Sequence, residues 1–469
     1  MNLPLFLPGM AVVILSLFGV LIGMSICLLK CKFRNTVIRK RLLIFFLSMA
    51  GLVLAYTLSY TISSFIGRAQ INVQLAEMRK HGFPTDANDI IPPMPEKTYD
   101  NGAVFYNKAF VLMDADTDIS RLYDLESNYD LAKWSDENRK IAQPVLNSKN
   151  MEAVLNFFRQ GVEKPCVIFH AYKGTGTEFR GLANQRAFFR LISLKSSFDG
   201  INGNPESGYS LICDGFKTIK QFESDPFLIS QLVNIACTML NIEAMNSLIS
   251  RYGISSQTAG QLMSGLDKIN FNAAIANSMG GELILNKDMF ESIIAGKCKL
   301  PAGYINDNKL RWIIEKYSPW PFLYQDYACY LKLMLKIRQL YSQPYWFVKR
   351  QIKELENELS NVPSYYLLSK DMSTISVPAL CLKISYIESE IDAAKLTLAL
   401  HIYKNQHGEF PNRLEELAPE ILKEIPVDPI SGKPFEYSKT GNTFTISSVW
   451  LKEKAEIYRK NRSKHNSGK

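Results

Sequence analysis

Five histidines, eight cysteines and 45 carboxylates set the limits of the chemistry this chain can carry. The histidines, His81, His170, His401, His407 and His465, are scattered. His401 and His407 are six apart, off the i, i+4 spacing that would put two ligands on one helix face. There is no H-E-x-x-H, G-x-S-x-G, Walker loop or strand–helix G-x-G-x-x-G. Lys439-Thr440-Gly441 spells the K-T-G of penicillin-binding enzymes, but no Ser-x-x-Lys supplies a nucleophile, so it reads as a turn. Cys-x-x-Cys is also missing, which argues against a zinc ribbon or a thioredoxin-type centre. Cys27 and Cys31 flank an apolar run. Cys166, Cys213, Cys237, Cys298, Cys329 and Cys381 follow, and six cysteines allow 15 pairings without selecting one. Cys237, inside QLVNIACTML, reads as a small buried hydrophobe. No metal and no cofactor are expected.

Two places keep chemistry open. The polar stretch YKGTGTEFRG (172–181) carries Glu178 and Arg180, with His170 just before it. These three either form a site or belong to a loop whose ion pair caps the helix that follows. Trp312, Tyr317, Trp320, Phe322, Tyr324 and Tyr327 either stack on sugar rings or pack helices around Pro319 and Pro321. Carboxylate pairs for glycoside hydrolysis need a geometry that 45 scattered acids do not specify.

The elements that must hold these residues begin with two uncharged runs, residues 10–29 and 42–66. At 1.5 Å rise per residue each is long enough for a hydrocarbon core of about 30 Å. No basic residue precedes the first run and no small-x-small site follows it, so a cleaved signal peptide is not expected. Between the runs stand Lys30, Lys32, Arg34, Arg39, Lys40 and Arg41 with no acid. Basic residues in short loops stay cytoplasmic, so both ends of the chain are expected outside a bacterial inner membrane, with the large part periplasmic or otherwise extracytoplasmic. The formal net charge is +9. Residues 1–67 hold six basic and no acidic residues, and 452–469 hold seven basic and two acidic. What remains is 41 basic against 43 acidic, nearly neutral, and no nucleic-acid footprint is expected.

The pattern predicts a mainly α chain. It reads as a transmembrane helical hairpin (1–66), a stem (67–150), an extracytoplasmic array of helical hairpins (151–370), irregular and repeat-like, a small α+β unit (371–450) and a basic tail (451–469). Helical out of the membrane until Gly82 and Pro84, the stem becomes extended through DANDIIPPMPEKTYDNG and helical again in NGAVFYNKAFVLM. Five helices are expected between residues 180 and 296. In one, Leu228, Leu232, Ala236 and Leu240 recur as an apolar stripe, with Asp225 as N-cap, Pro226 at the first helical position and Gly253 as the stop. Near the end, a long helix stops at Gly408 and Asn412 with Glu415 has capping-box spacing. A hairpin around Thr440-Gly441-Asn442 should lay Phe435, Tyr437, Phe444 and Ile446 on Leu396, Leu400 and Tyr403.

From Ala393 onward, Gly408, Phe410, Pro411, Leu414, Leu417, Asp428, Pro429, Gly432, Pro434 and Tyr437 match a long helix, a G-x-(Y/F)-P segment and a DP…SG-x-P-F-x-Y hairpin. This segment of about 60 residues resembles the globular end of the type II secretion major pseudopilin. The same tail closes an uncharacterised membrane-anchored family of planctomycetes and relatives. RGLANQRAFF, the Asp225-Pro226-Phe227 opening of a long helix and the GGEL segment (280–283) are similar to that family in order. The resemblance implies a pseudopilin-like α+β end with Gly408, Pro411, Asp428, Pro429, Gly432 and Tyr437 as its structural motif. The chain lacks the pseudopilin leader and the acidic terminal loop, so neither fibre assembly nor calcium is implied.

The expectation is a non-enzymatic, membrane-tethered extracytoplasmic protein for binding or scaffolding, with an envelope or secretion-related protein as its partner. The alternatives are an enzyme acting on envelope glycan or peptide, and an accessory part of a secretion or pilus-like apparatus.

Overall fold

In a solvent without hydrogen-bond partners, only a helix satisfies the backbone of a single apolar segment. The computed structural model places residues 42–66 inside one continuous 45-residue helix, α2 (Thr36–Lys80). The structure describes residues 18–27, 36–90, 94–126, 128–170, 172–174, 176–294, 323–363, 366, 369–370 and 377–456. The part of the first apolar run that falls among them, Phe18–Cys27, is helical (α1). Lys30, Lys32 and Arg34 lie outside the described residues, while Arg39, Lys40 and Arg41 stand in the first turns of α2. Past residue 66 the helix turns amphipathic and buries Ile71, Leu75 and Met78. It ends where Gly82 takes φ +63° and the Phe83 amide bonds the Met78 carbonyl, a left-handed stop.

Two compact units are present, each built from several stretches of chain. The first comprises Met1–Thr85, Leu283–Lys336 and Glu354–Ile375, the second Asp86–Glu282, Ile337–Lys353 and Ser376–Lys469. Contiguous blocks would have followed from sequence order alone. In the structure the long C-terminal helix packs on helices some 150 residues earlier, which interleaves the chain.

In the first unit, α2 meets α12 (Leu323–Tyr341). Gly67 permits the approach, since a Cβ there would lie 2.5 Å from that of Tyr324. Arg68 donates to the Tyr324 hydroxyl at 2.8 Å and sits over its ring. Tyr327 stacks on Phe290 at 4.1 Å. Tyr324 and Tyr327 are therefore packing residues. Trp312, Tyr317, Trp320 and Phe322 lie outside the described residues.

The second unit carries α3 (Ala103–Ala115), α4 (Thr117–Leu125), α5 (Asp136–Leu146), α6 (Lys149–Val162), α7 (Leu182–Ile201), α8 (Pro205–Phe222), α9 (Leu228–Tyr252) and α10 (Ser256–Asp267). α11 (Phe271–Ile294) and α13 (Tyr345–Ser360) contribute their N-terminal portions, and α14 (Val377–His407) leads to the hairpin β1 (Glu436–Thr440) and β2 (Thr443–Ser447). α7, α8 and α9 pack mutually, and α14 crosses α9 and α10.

The buried face of α9 corrects the sequence reading. Leu228, Leu232, Ala236 and Leu240 are only half-buried, whereas Gln231, Asn234, Thr238 and Asn241 are fully buried. The three amides donate to carbonyls of α8: Gln231 to Phe222 at the helix end at 3.0 Å, Asn234 to Ile219 in the last turn at 3.0 Å and Asn241 to mid-helix Ile212 at 2.9 Å. Gly215 opens α8 for the Asn241 amide, which a Cβ would meet at 2.5 Å. Amide side chains go inside here because α8 carbonyls take their N–H groups, while the buried oxygens of Gln231, Asn234 and Asn241 have no partner among the described residues. Cys237 on the same face is fully buried, and burial holds its thiol far above the usual range.

In the hairpin, Tyr437 pairs with Ile446 and Lys439 with Phe444 across a two-residue turn with Gly441 at φ +57°. The Phe444 ring meets His401 and Phe410. Tyr403 turns away and donates to Glu416 at 3.0 Å. The residue facing the sheet is thus His401, two positions earlier than expected.

Candidate functional site

The loop before α7 separates its three candidates. Glu178 and Arg180 pair at 2.5 Å in solvent, with 62% and 84% of their side chains exposed. No side chain caps α7; its N-cap is Gly181 at φ +81°. The His170 ring lies inside, edge-on to Phe179, with Nε2 3.6 Å from Asp225 Oδ2. That separation is beyond a direct hydrogen bond. Burial pushes the imidazole down, against a bond to the Glu178 backbone, and pushes Asp225 up to about 6, against a bond from the Phe227 amide. The space beside them is about 10 Å³, room for one water at most. His170, Glu178 and Arg180 do not converge.

Asp225 does not cap α9 in the expected way. The helix begins at Leu228 with Phe227 as N-cap, and Asp225 Oδ1 accepts the Phe227 amide at 3.1 Å. The Leu228 amide is taken by Glu282 Oε1 at 3.2 Å, from α11. Gly281 makes this reach feasible, because a Cβ there would fall 1.8 Å from the Pro226 carbonyl oxygen. The Asp225-Pro226-Phe227 and GGEL segments, 54 residues apart in the bond they share, therefore meet as one joint. α11 is capped in the same fashion from other elements: Glu223 accepts the Asn270 amide at 2.7 Å and Glu388 the Phe271 amide at 3.0 Å. These carboxylates offset the partial positive charge of helix N-termini.

Asp130 is another committed carboxylate. Arg251 grips it through two bonds of 2.8 and 2.6 Å, and Ser247 and Ser197 donate at 2.6 and 3.0 Å. Burial alone would raise its pKa; the bonds from Arg251 and Ser247 outweigh burial and hold it well below the carboxylate range.

The C-terminal motif residues build turns. Asp428 is buried, accepts the Ile430 amide at 3.3 Å and the Ser431 hydroxyl at 2.7 Å, and its carbonyl takes the Gly432 amide at 2.8 Å. Gly432 stands at φ +70°, against the Trp346 ring. The Pro429 carbonyl accepts the Trp346 amide. Gly408 is at φ +85°, and the Pro411 carbonyl accepts the Tyr437 hydroxyl at 2.7 Å. The capping carboxylate after Pro411 is Glu416, which accepts the Asn412 and Arg413 amides, instead of Glu415.

A groove of about 730 Å³ runs between α8 and α10. On α8 its wall is Glu206, Ser210, Asp214 and Lys217, residues three or four apart; on α10 it is Gln257, Gln261 and Ser264. Gly265 brings α10 close to Phe216 at the floor, and Thr258 donates to Glu206 at 2.9 Å. Cys213 reaches this wall, but burial and then Asp214 push its thiol up to about 11, far from a reactive thiolate. The bond to Asp214 raises Lys217, which stays an ammonium. Hydroxyls, amides and charged groups stand along the groove among a larger share of carbon surface. Sequence reasoning missed it, because no single residue type marks the wall. The signal present was a row of small and polar residues on one face of SSQTAGQLMSGLDKI.

Fold and groove together define a mainly helical protein with a long apolar helix, a small antiparallel sheet near its C-terminus and a surface groove. No protein-family model, curated protein or solved structure matches this chain; its function is argued from its own residues.

Proposed function

We propose that this chain is a membrane-tethered protein that binds an envelope protein partner through the α8–α10 groove. The tether is α2: two described helices are long and apolar enough to cross a membrane, but the candidate window of α9 is 56% buried and that of α2 only 6%. A helix with so little of its apolar surface covered needs lipid or another apolar phase around it. We also propose that the cationic cluster Lys30–Arg41 stays in the cytoplasm, so that the large part of the chain is extracytoplasmic. The observation that carries the binding reading is the groove itself. Its free hydroxyl and amide rows suit an extended or helical peptide, and burial keeps the Cys213 thiol from acting as a nucleophile.

The test is site-specific photo-crosslinking in cells. A photoreactive residue at exposed Gln261 should give one discrete adduct, and Ser264→Arg should abolish it. No adduct at Gln261, or the same adduct from Glu137 on a helix that does not line the groove, overturns the proposal. For orientation, a C-terminal alkaline phosphatase fusion should be active; an inactive fusion with a fluorescent cytoplasmic reporter reverses it.

A further inference from the structure

An aromatic edge stands open at the start of α13. Trp346 and Phe347 are 45% and 55% exposed and meet at right angles, with ring centroids 5.7 Å apart. One side of the Trp346 ring rests on Gly432, where a Cβ would come within 2.7 Å of it, and the Trp346 amide is fixed by the Pro429 carbonyl. The turn thus holds the indole in a set orientation while leaving much of it uncovered. Val427, 44% exposed, continues the edge and is bridged to exposed Pro434. Exposed lysines stand beside it: Lys349, one helical turn after Trp346, and Lys433, next to Gly432.

A fixed, half-exposed tryptophan with an exposed phenylalanine at its side is an expensive arrangement in water. Flanked by lysines, it matches the requirements of a bilayer interface, where indoles sit at headgroup depth and cations meet anionic lipid. A second copy of the chain or a protein partner would cover the rings equally well. What favours lipid is the pairing of apolar rings with lysines on a chain whose own tether brings a bilayer within reach. We infer that Trp346, Phe347 and Val427 form a membrane-resting edge, seated in the interface of an anionic bilayer with Lys349 and Lys433 on the headgroups. This rests on the tether proposed for α2.

The test uses the full chain reconstituted in phosphatidylcholine vesicles, with and without phosphatidylglycerol, carrying bromine on the acyl chains. Trp134, Trp312, Trp320 and Trp450 are common to both proteins, so the wild-type minus Trp346→Phe difference spectrum reports on Trp346. It should be blue-shifted and quenched by the brominated lipid, more strongly with phosphatidylglycerol. Lys349→Glu combined with Lys433→Glu should remove the phosphatidylglycerol dependence. A difference spectrum quenched by acrylamide but not by brominated lipid overturns the inference. So does one quenched by neither, which would mean that protein, a second copy included, covers the edge. Circular dichroism of Trp346→Phe checks that the fold is retained. Carbonate extraction of the same vesicles tests the tether separately: a retained protein with an unquenched Trp346 sinks the resting edge alone.

Discussion

Gly281→Ala and Gly260→Ala are the same substitution inside two helices of one unit, and they should act with opposite sign. Alanine is favoured over glycine in a helix interior by about 1 kcal/mol, and at Gly260 nothing lies within 4 Å of the new Cβ. That variant should gain about 0.5–1 kcal/mol. At Gly281 the Cβ would fall 1.8 Å from the Pro226 carbonyl oxygen, whereas carbon–oxygen contact needs about 3.3 Å. The two backbones must then separate by roughly 1.5 Å. Both are main chain, so no side chain can swing aside. Overpacking of this kind costs about 1–3 kcal/mol or more. The shift also pulls Glu282 from the Leu228 amide, a cap of about 1 kcal/mol. Net of the propensity gain, the loss is about 1–3 kcal/mol, or a melting shift of roughly 2–5 °C for a unit of this size. Near-UV circular dichroism melts of the detergent-solubilised full chain would measure both. If Gly281→Ala raises the midpoint as Gly260→Ala does, the joint between the α9 and α11 segments is not packed as described.

Asp130→Asn should destabilise by about 3 kcal/mol in the same melts, because it leaves the Arg251 guanidinium without its counter-charge; adding Arg251→Met should recover part of the loss, and strict additivity would deny the coupling. Burial and then Asp392 push Glu388 up to about 7, and burial pushes Asp392 up to about 6. The folded chain holds these protons more tightly than the unfolded one, so the associated stability is complete below about pH 4 and is lost as pH rises through 6 to 7. Glu388→Gln should flatten that fall between pH 5 and 8, and an unchanged profile would refute the assignment. In the C-terminal turn, Gly432→Val meets both a positive φ and the Trp346 ring and should destabilise more than Ser431→Ala, while Asp428→Ala should cost about 1 kcal/mol. Equal melting points for all three would mean the turn has no structural role.

Long-period features were legible in the sequence and the identity of partners was not. The uncharged run before Gly67, the stop at Gly253, the long helix to Gly408 and the two-stranded hairpin all leave strong local signals. The face of α9 was misread because an apolar stripe outscores a row of amides whose α8 partners the sequence does not reveal. The capping of α9 was misread for a related reason, and that of α11 was not anticipated. Glu282, Glu223 and Glu388 act across elements, while capping rules assume a partner within one turn. His170 was grouped with Glu178 and Arg180 by adjacency, yet its imidazole is buried against Phe179 while the Glu178–Arg180 pair stands in solvent. The groove needs two helices at once and has no one-dimensional trace.

The row of amides on α9 also bears on how the chain is made. On the proposed topology, a 25-residue helix this apolar would resemble a second membrane anchor to the export machinery, which would meet it before α10 and α14 exist to cover it. Gln231, Asn234 and Asn241 make its lateral entry into lipid unfavourable, because none of their amides would find a partner there. Once α8 is alongside, its carbonyls accept the N–H groups of the same three amides. On that topology, a single set of side chains would reject the wrong compartment during synthesis, and it fixes the register of two helices in the folded chain. Replacing them with leucine would conserve the shape of the face and erase the instruction.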